Sequence, residues 1–88
     1  MTVHAAIPLP VSLVELAPHT RGTVAAVDWD VLSHAEARRL REFGLDDGVE
    51  VELLHRAALG GGPLACRIGR MRVAVRRHVA LAIRVARP

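Results

Sequence analysis

From Val49 to Leu53 the chain alternates, with Val49, Val51 and Leu53 apolar and Glu50 and Glu52 acidic. A period of two predicts a strand with one buried face. The pattern returns in Leu64-Ala65-Cys66-Arg67-Ile68, where Leu64, Cys66 and Ile68 share a side, and in Arg72–Arg76, where Val73 and Val75 face inward. Arg21–Val27 is a further strand candidate, but Val24 and Val27 can share a face only if it carries a bulge. Ala82–Val85 reads as a closing strand.

One segment has helical spacing instead. Ala37, Leu40 and Phe43 recur every three residues and predict a buried stripe. Ser33 and Glu36 stand ahead of it in the S-x-x-E spacing, in which hydroxyl and carboxylate each take a backbone N–H at the helix start. Arg38, Arg39 and Arg41 fall towards its C-terminal end, where the helix dipole favours cations. Gly44 is placed to take a left-handed conformation after the last turn, with Leu45 folding back on Leu40. Asp46-Asp47-Gly48 then makes a second tight turn into the Val49 strand.

Three shorter pieces complete the chain. Ser12–Leu16 is a turn of helix or an extended lead-in stopped at Pro18, Leu59–Pro63 is a glycine-rich loop, and Arg77–Leu81 is one helical turn. The fold class expected is mainly β: about five short strands, one inserted helix and a late helical turn, closed into a small barrel. Residues 1–11 are expected to be a flexible tail and 12–88 the single domain.

Composition sharpens this. Half of the 88 residues are hydrophobic, yet Trp29 and Phe43 are the sole aromatics, so the core must be built from Val, Leu, Ile and Ala. One cysteine, Cys66, allows no intramolecular disulfide, and its place beside Leu64 and Ile68 points to a buried thiol. The first twelve residues carry no basic region and are interrupted by Pro8 and Pro10, unlike a signal peptide. No run approaches the roughly 18 continuous apolar residues of a membrane span. A cytoplasmic protein is expected.

Charge is divided unevenly. Residues 1–54 hold all nine acids and four arginines, a net −5, whereas residues 55–88 hold eight arginines and no acid, a net +8. A segment so basic can neutralise phosphates. Single-strand binders also need aromatic stacking platforms, which these strands lack. Pairing with Glu50 and Glu52 across strands, together with docking of an acidic partner protein, accounts better for Arg67, Arg72, Arg76 and Arg84 on the outer faces.

No catalytic set is visible. Gly60-Gly61-Gly62 lacks the Lys-Ser/Thr that completes a phosphate loop, and the chain has no lysine. His4, His19, His34, His55 and His78 show no metal-ligand spacing with one another or with Cys66, so neither metal nor other cofactor is expected. The candidate contact cluster is Leu59, Arg70 and Arg72, supported by Arg67, since the Leu59–Pro63 loop and the Arg70–Arg72 turn should project from the barrel.

LREFGLDDGVEVELL (Leu40–Leu54), ALGGGPL (Ala58–Leu64) and MRVAVRRHVALAIRV (Met71–Val85), in that order and spacing, resemble the FeoA-like family over roughly residues 12–86. The resemblance implies an SH3-like barrel with Gly44, Leu45 and Gly48 as its structural turn. It also implies a non-enzymatic adaptor of bacterial ferrous iron transport. The partner implied is the cytoplasmic part of a ferrous iron permease that includes a GTP-binding domain. The family also forms the terminal domain of metal-dependent repressors, which leaves a detached regulatory module as an alternative. Two positions depart from the pattern: Gly62, where relatives often have an acid, and His78-Val79 in place of an acidic pair.

Overall fold

The computed structural model describes residues 9–57 and 61–87. Its strands are β1 (Val11–Ser12), β2 (Thr20–Val27), β3 (Glu50–Arg56), β4 (Leu64–Ile68), β5 (Met71–Val75) and β6 (Ile83–Ala86). All pair antiparallel in one sheet of order β1-β6-β2-β3-β4-β5. The expected mainly β architecture is observed, with a sixth strand of two residues added. That strand includes Val11, within the segment read as a tail, which pairs with Val85. The strand order and the two helices agree with the small SH3-like barrel expected, and among the described residues its end strands, β1 and β5, are not paired with each other.

Apolar residues from all six strands meet in one core, with Val11 of β1 at its margin, and Leu53, Leu64, Ile68, Val51, Val85, Cys66 and Ile83 are essentially without exposure. Leu13 and Leu16 join them from a 3-10 turn at Leu13–Glu15, the lead-in to the barrel. Each such side chain contributes about 1.5–3 kcal/mol of burial.

The bulge needed to bring Val24 and Val27 to one side lies between Val24, opposite Val85, and Ala26, opposite Arg84. A second irregularity between Leu53 and His55 in β3 had no sequence signal.

The inserted helix α1 (His34–Glu42) starts and stops as its residues dictate. Glu36 N–H donates to Ser33 Oγ at 3.1 Å, and Ser33 N–H donates to Glu36 Oε1 at 2.9 Å. The bond from Ser33 N–H to the carboxylate, with His78 beside it, holds Glu36 below the usual carboxylate range. At the far end, Leu45 N–H donates to Leu40 C=O at 3.0 Å and Gly44 N–H to Arg41 C=O at 2.9 Å, the paired bonds of a Schellman ending. Of the expected stripe only Leu40 is fully buried; Ala37 and Phe43 are half-buried, and Phe43 borders an open cleft.

Gly44 has φ +84°, and a Cβ there would meet nothing within 4 Å. Gly44→Val should therefore cost stability through backbone strain alone, on the order of 1–3 kcal/mol. Gly44→Asn, which tolerates the left-handed region, should lose markedly less. Chemical denaturation of both variants checks the difference, and equal midpoints for the two would contradict the assignment.

Candidate docking surface

Strand register assembles four charged residues from distant parts of the sequence. Arg21 of β2 lies opposite Glu52 of β3, Glu52 opposite Arg67 of β4, and Arg67 opposite Arg72 of β5. The row therefore reads plus, minus, plus, plus across the sheet. Glu52 is only 9% exposed and is shared: Arg67 Nη1 lies 3.4 Å and Arg21 Nε 3.7 Å from Glu52 Oε1. The expected pairing across strands is thus found at Glu52. Glu50, opposite Thr23, has no arginine on it among the described residues.

The consequence is an excess at the end of the row. Arg72 has no carboxylate partner among the described residues and stands directly across from another cation, an arrangement that is unfavourable between strands. Arg70 is exposed beside it, in the two-residue turn that joins β4 to β5. Gly69 opens that turn at φ +59°, while Arg70 keeps a negative φ, the pattern of a type II′ hairpin. Of the residues proposed from sequence, Arg67, Arg70 and Arg72 are brought together, with Arg67 committed to Glu52. Leu59 lies outside the described residues.

A cleft of about 600 Å³ runs between α1 and the stretch from β5 into α2 (Arg77–Leu81). Leu40, Phe43, Val75 and Val79 supply its apolar lining, while Arg39 and Arg76 supply charge. His78 Nε2 meets Glu36 Oε2 at 2.5 Å and ties α2 to the first turn of α1. This contact joins residues 42 apart and had no local signal. At the departing pair His78-Val79, then, the histidine bridges two helices and the valine, 6% exposed, packs in the core.

Another contact missed in the sequence belongs to Arg56, whose Nη2 donates to Val14 C=O at 2.5 Å and also to Leu16 C=O. One of the eight basic residues of the second half is thereby spent on holding the lead-in. The two aromatics are also occupied: Arg41 sits 4.3 Å over the Trp29 ring and Arg39 5.7 Å over Phe43. Cys66 is buried as expected, and burial pushes its thiol up to about 11, which suppresses the reactive thiolate at neutral pH. Among the described residues no three of His, Cys, Asp or Glu converge on a common point, and no helix is long and apolar enough to cross a membrane.

The fold has close counterparts among solved structures. A FeoA from Stenotrophomonas maltophilia, crystallised with zinc and described as a procaryotic SH3 domain protein, is 38% identical; the match covers 85% of this chain and 88% of that one at a TM-score of 0.71. A FeoA protein from Chlorobium tepidum is 31% identical over 88% of this chain and 70% of its own, with a TM-score of 0.76. A manganese-dependent transcriptional repressor shares the fold at a TM-score of 0.77; at 22% identity and 45% coverage of that chain, the likeness concerns fold alone. No curated protein matches. The family model of the FeoA domain matches residues 11–87, and with the Schellman turn, the SH3-like sheet and these relatives it establishes that the chain belongs to the FeoA domain family.

Proposed function

We propose that the chain is a non-enzymatic cytosolic adaptor of ferrous iron uptake. It docks through Arg70 and Arg72, with Arg67 in support, on the cytoplasmic part of a ferrous iron permease that carries a GTP-binding domain. The Stenotrophomonas relative is described as a candidate bacterial ferrous iron transport activating factor, which supports the same setting for this chain. The observation that carries the surface is the unbalanced row Arg21–Glu52–Arg67–Arg72: one carboxylate serves two arginines, and the outermost cation remains for a partner. A nucleic-acid role is less well supported, because Trp29 and Phe43 lie under arginines of α1 and offer no stacking row beside these strands.

The double substitution Arg70→Glu/Arg72→Glu tests the reading. Both side chains are exposed, so the fold should survive. Association with the purified cytoplasmic region of the permease should weaken by at least about tenfold, with a shallower dependence on salt. Unaltered permease binding combined with loss of a tight RNA or DNA interaction would support the nucleic-acid reading instead. Co-purification of a transcription factor without permease would support the regulatory module.

A further inference from the structure

Among the described residues the last strand of the sheet order has one unpaired side. β5 is hydrogen-bonded to β4 along one edge, and among the described residues its other edge meets no backbone partner. In a two-residue hairpin the closing pair, here Ile68 and Met71, exchanges hydrogen bonds. Alternation along β5 then directs the N–H and C=O groups of Arg72 and Ala74 away from β4, towards the open edge. Such an edge is a template for another strand unless something covers it.

Its surroundings specify what could pair there. Val75 and Ala74 border the cleft, so a strand added alongside β5 would turn alternate side chains towards Leu40, Phe43 and Val79. Its other side chains would lie on the outer face, next to Arg72. The charge around this edge is almost wholly positive. Arg39 and Arg76 line the cleft, Arg70 and Arg72 flank the strand, and the one acid of the cleft lining, Glu36, is engaged by His78. A second copy of β5 fits poorly, because antiparallel pairing centred on Val73 would set Arg70 of each copy against Arg76 of the other.

We propose that the open edge of β5 is a strand-addition site for an extended partner segment that alternates acidic and apolar residues. Backbone bonds to Arg72 and Ala74 supply the pairing. Apolar side chains enter the cleft beside α1, and carboxylates meet Arg72 and its arginine neighbours. The proposal rests on the reading of the Arg70–Arg72 face as the docking face, and names the mode of recognition and the chemistry of the segment that it takes.

The probe is a synthetic peptide of alternating glutamate and valine, compared with a copy N-methylated at every second residue and with a lysine–valine peptide. Ala74→Pro removes the outward N–H, and proline is tolerated on an edge strand when its missing donor faced solvent. Binding of the Glu-Val peptide should show in the amide resonances of Arg72 and Ala74. Ala74→Pro and one-edge N-methylation should each weaken it by about tenfold, as expected for losing one or two net hydrogen bonds. Because N-methylation leaves the protein unaltered, the test holds even if Ala74→Pro perturbs the strand.

Failure of the Glu-Val peptide to bind at millimolar concentration would overturn the proposal. So would equal binding of the lysine peptide, indifference to N-methylation, or protein self-association that consumes the same edge. Permease binding lost in Arg70→Glu/Arg72→Glu but intact in Ala74→Pro would refute strand addition and retain the adaptor. Peptide binding that is sensitive to Ala74→Pro, without any binding of the permease region, would retain strand addition and refute the adaptor.

Discussion

Gly22→Val should be the most damaging single substitution in the sheet, and Gly22→Ala should already be costly. Gly22 points inward from β2, opposite Val51 of β3, and is buried. A Cβ built on it would lie 2.4 Å from Val85 Cγ1 and 2.8 Å from the backbone oxygen of Ala86. Neither neighbour can yield cheaply: Val85 has no exposure in the core, and Ala86 is held in β6 opposite Thr23. The contact can be relieved only by separating β2 from β6 or by displacing core side chains.

Overpacking of this kind typically costs about 1–3 kcal/mol, and valine adds two methyl groups to the clash. In a domain of this size each kcal/mol lowers Tm by roughly 4–8 °C. Calorimetry of the alanine variant should therefore show a drop of that order, and the valine variant should unfold earlier still. Combining Gly22→Ala with Val85→Ala should cost less than the sum of the single changes, since one removes the atom that the other strikes. Strict additivity, or an unchanged Tm for Gly22→Ala, would contradict the close approach.

Arg56→Met should produce the second large loss. The guanidinium reaches from the end of β3 to Val14 C=O, through Nη2 at 2.5 Å and Nε at 3.2 Å, and to Leu16 C=O. It fixes the 3-10 lead-in whose Leu13 and Leu16 have no exposure at all. Methionine keeps most of the apolar stem and deletes every donor, leaving two carbonyls of a half-buried segment without their charged partner. Hydrogen bonds to a charged group contribute about 1.5–3 kcal/mol, so the expected loss is on the order of 2–4 kcal/mol. Arg56→Lys should recover only part of it, because an ammonium cannot reproduce the fork that serves both acceptors. Urea midpoints at constant slope give the comparison, and equal stability of arginine and lysine would contradict the forked role.

Both residues show where inference from the chain ends. Gly22 in the sequence is one more small residue in a candidate strand; its necessity lies in Val85 and Ala86, more than sixty positions away. Arg56 reads as one of many arginines in a basic half, and its partners are 40 and 42 residues distant. The same holds for the docking face. Exposed arginines could be read from alternation, but the row Arg21–Glu52–Arg67–Arg72, whose end is unpaired among the described residues, depends on the register of three strand pairs.

What is settled between near neighbours is legible in the chain alone. Ser33 and Glu36 start α1, and Gly44 and Leu45 stop it, since those bonds close between neighbours at most five apart. The inward side of β4, Leu64, Cys66 and Ile68, follows from strict alternation, as does the burial of the thiol. Even the bulge of β2 was implied by the misplaced spacing of Val24 and Val27. The placing of β6 between β1 and β2, the edge of β5 left unpaired among the described residues, the cleft beside α1 and the Glu36–His78 bridge are visible only in the folded molecule. These arise from contacts between segments far apart in the chain, and local periodicity specifies which face of each strand is buried without specifying which strand it meets.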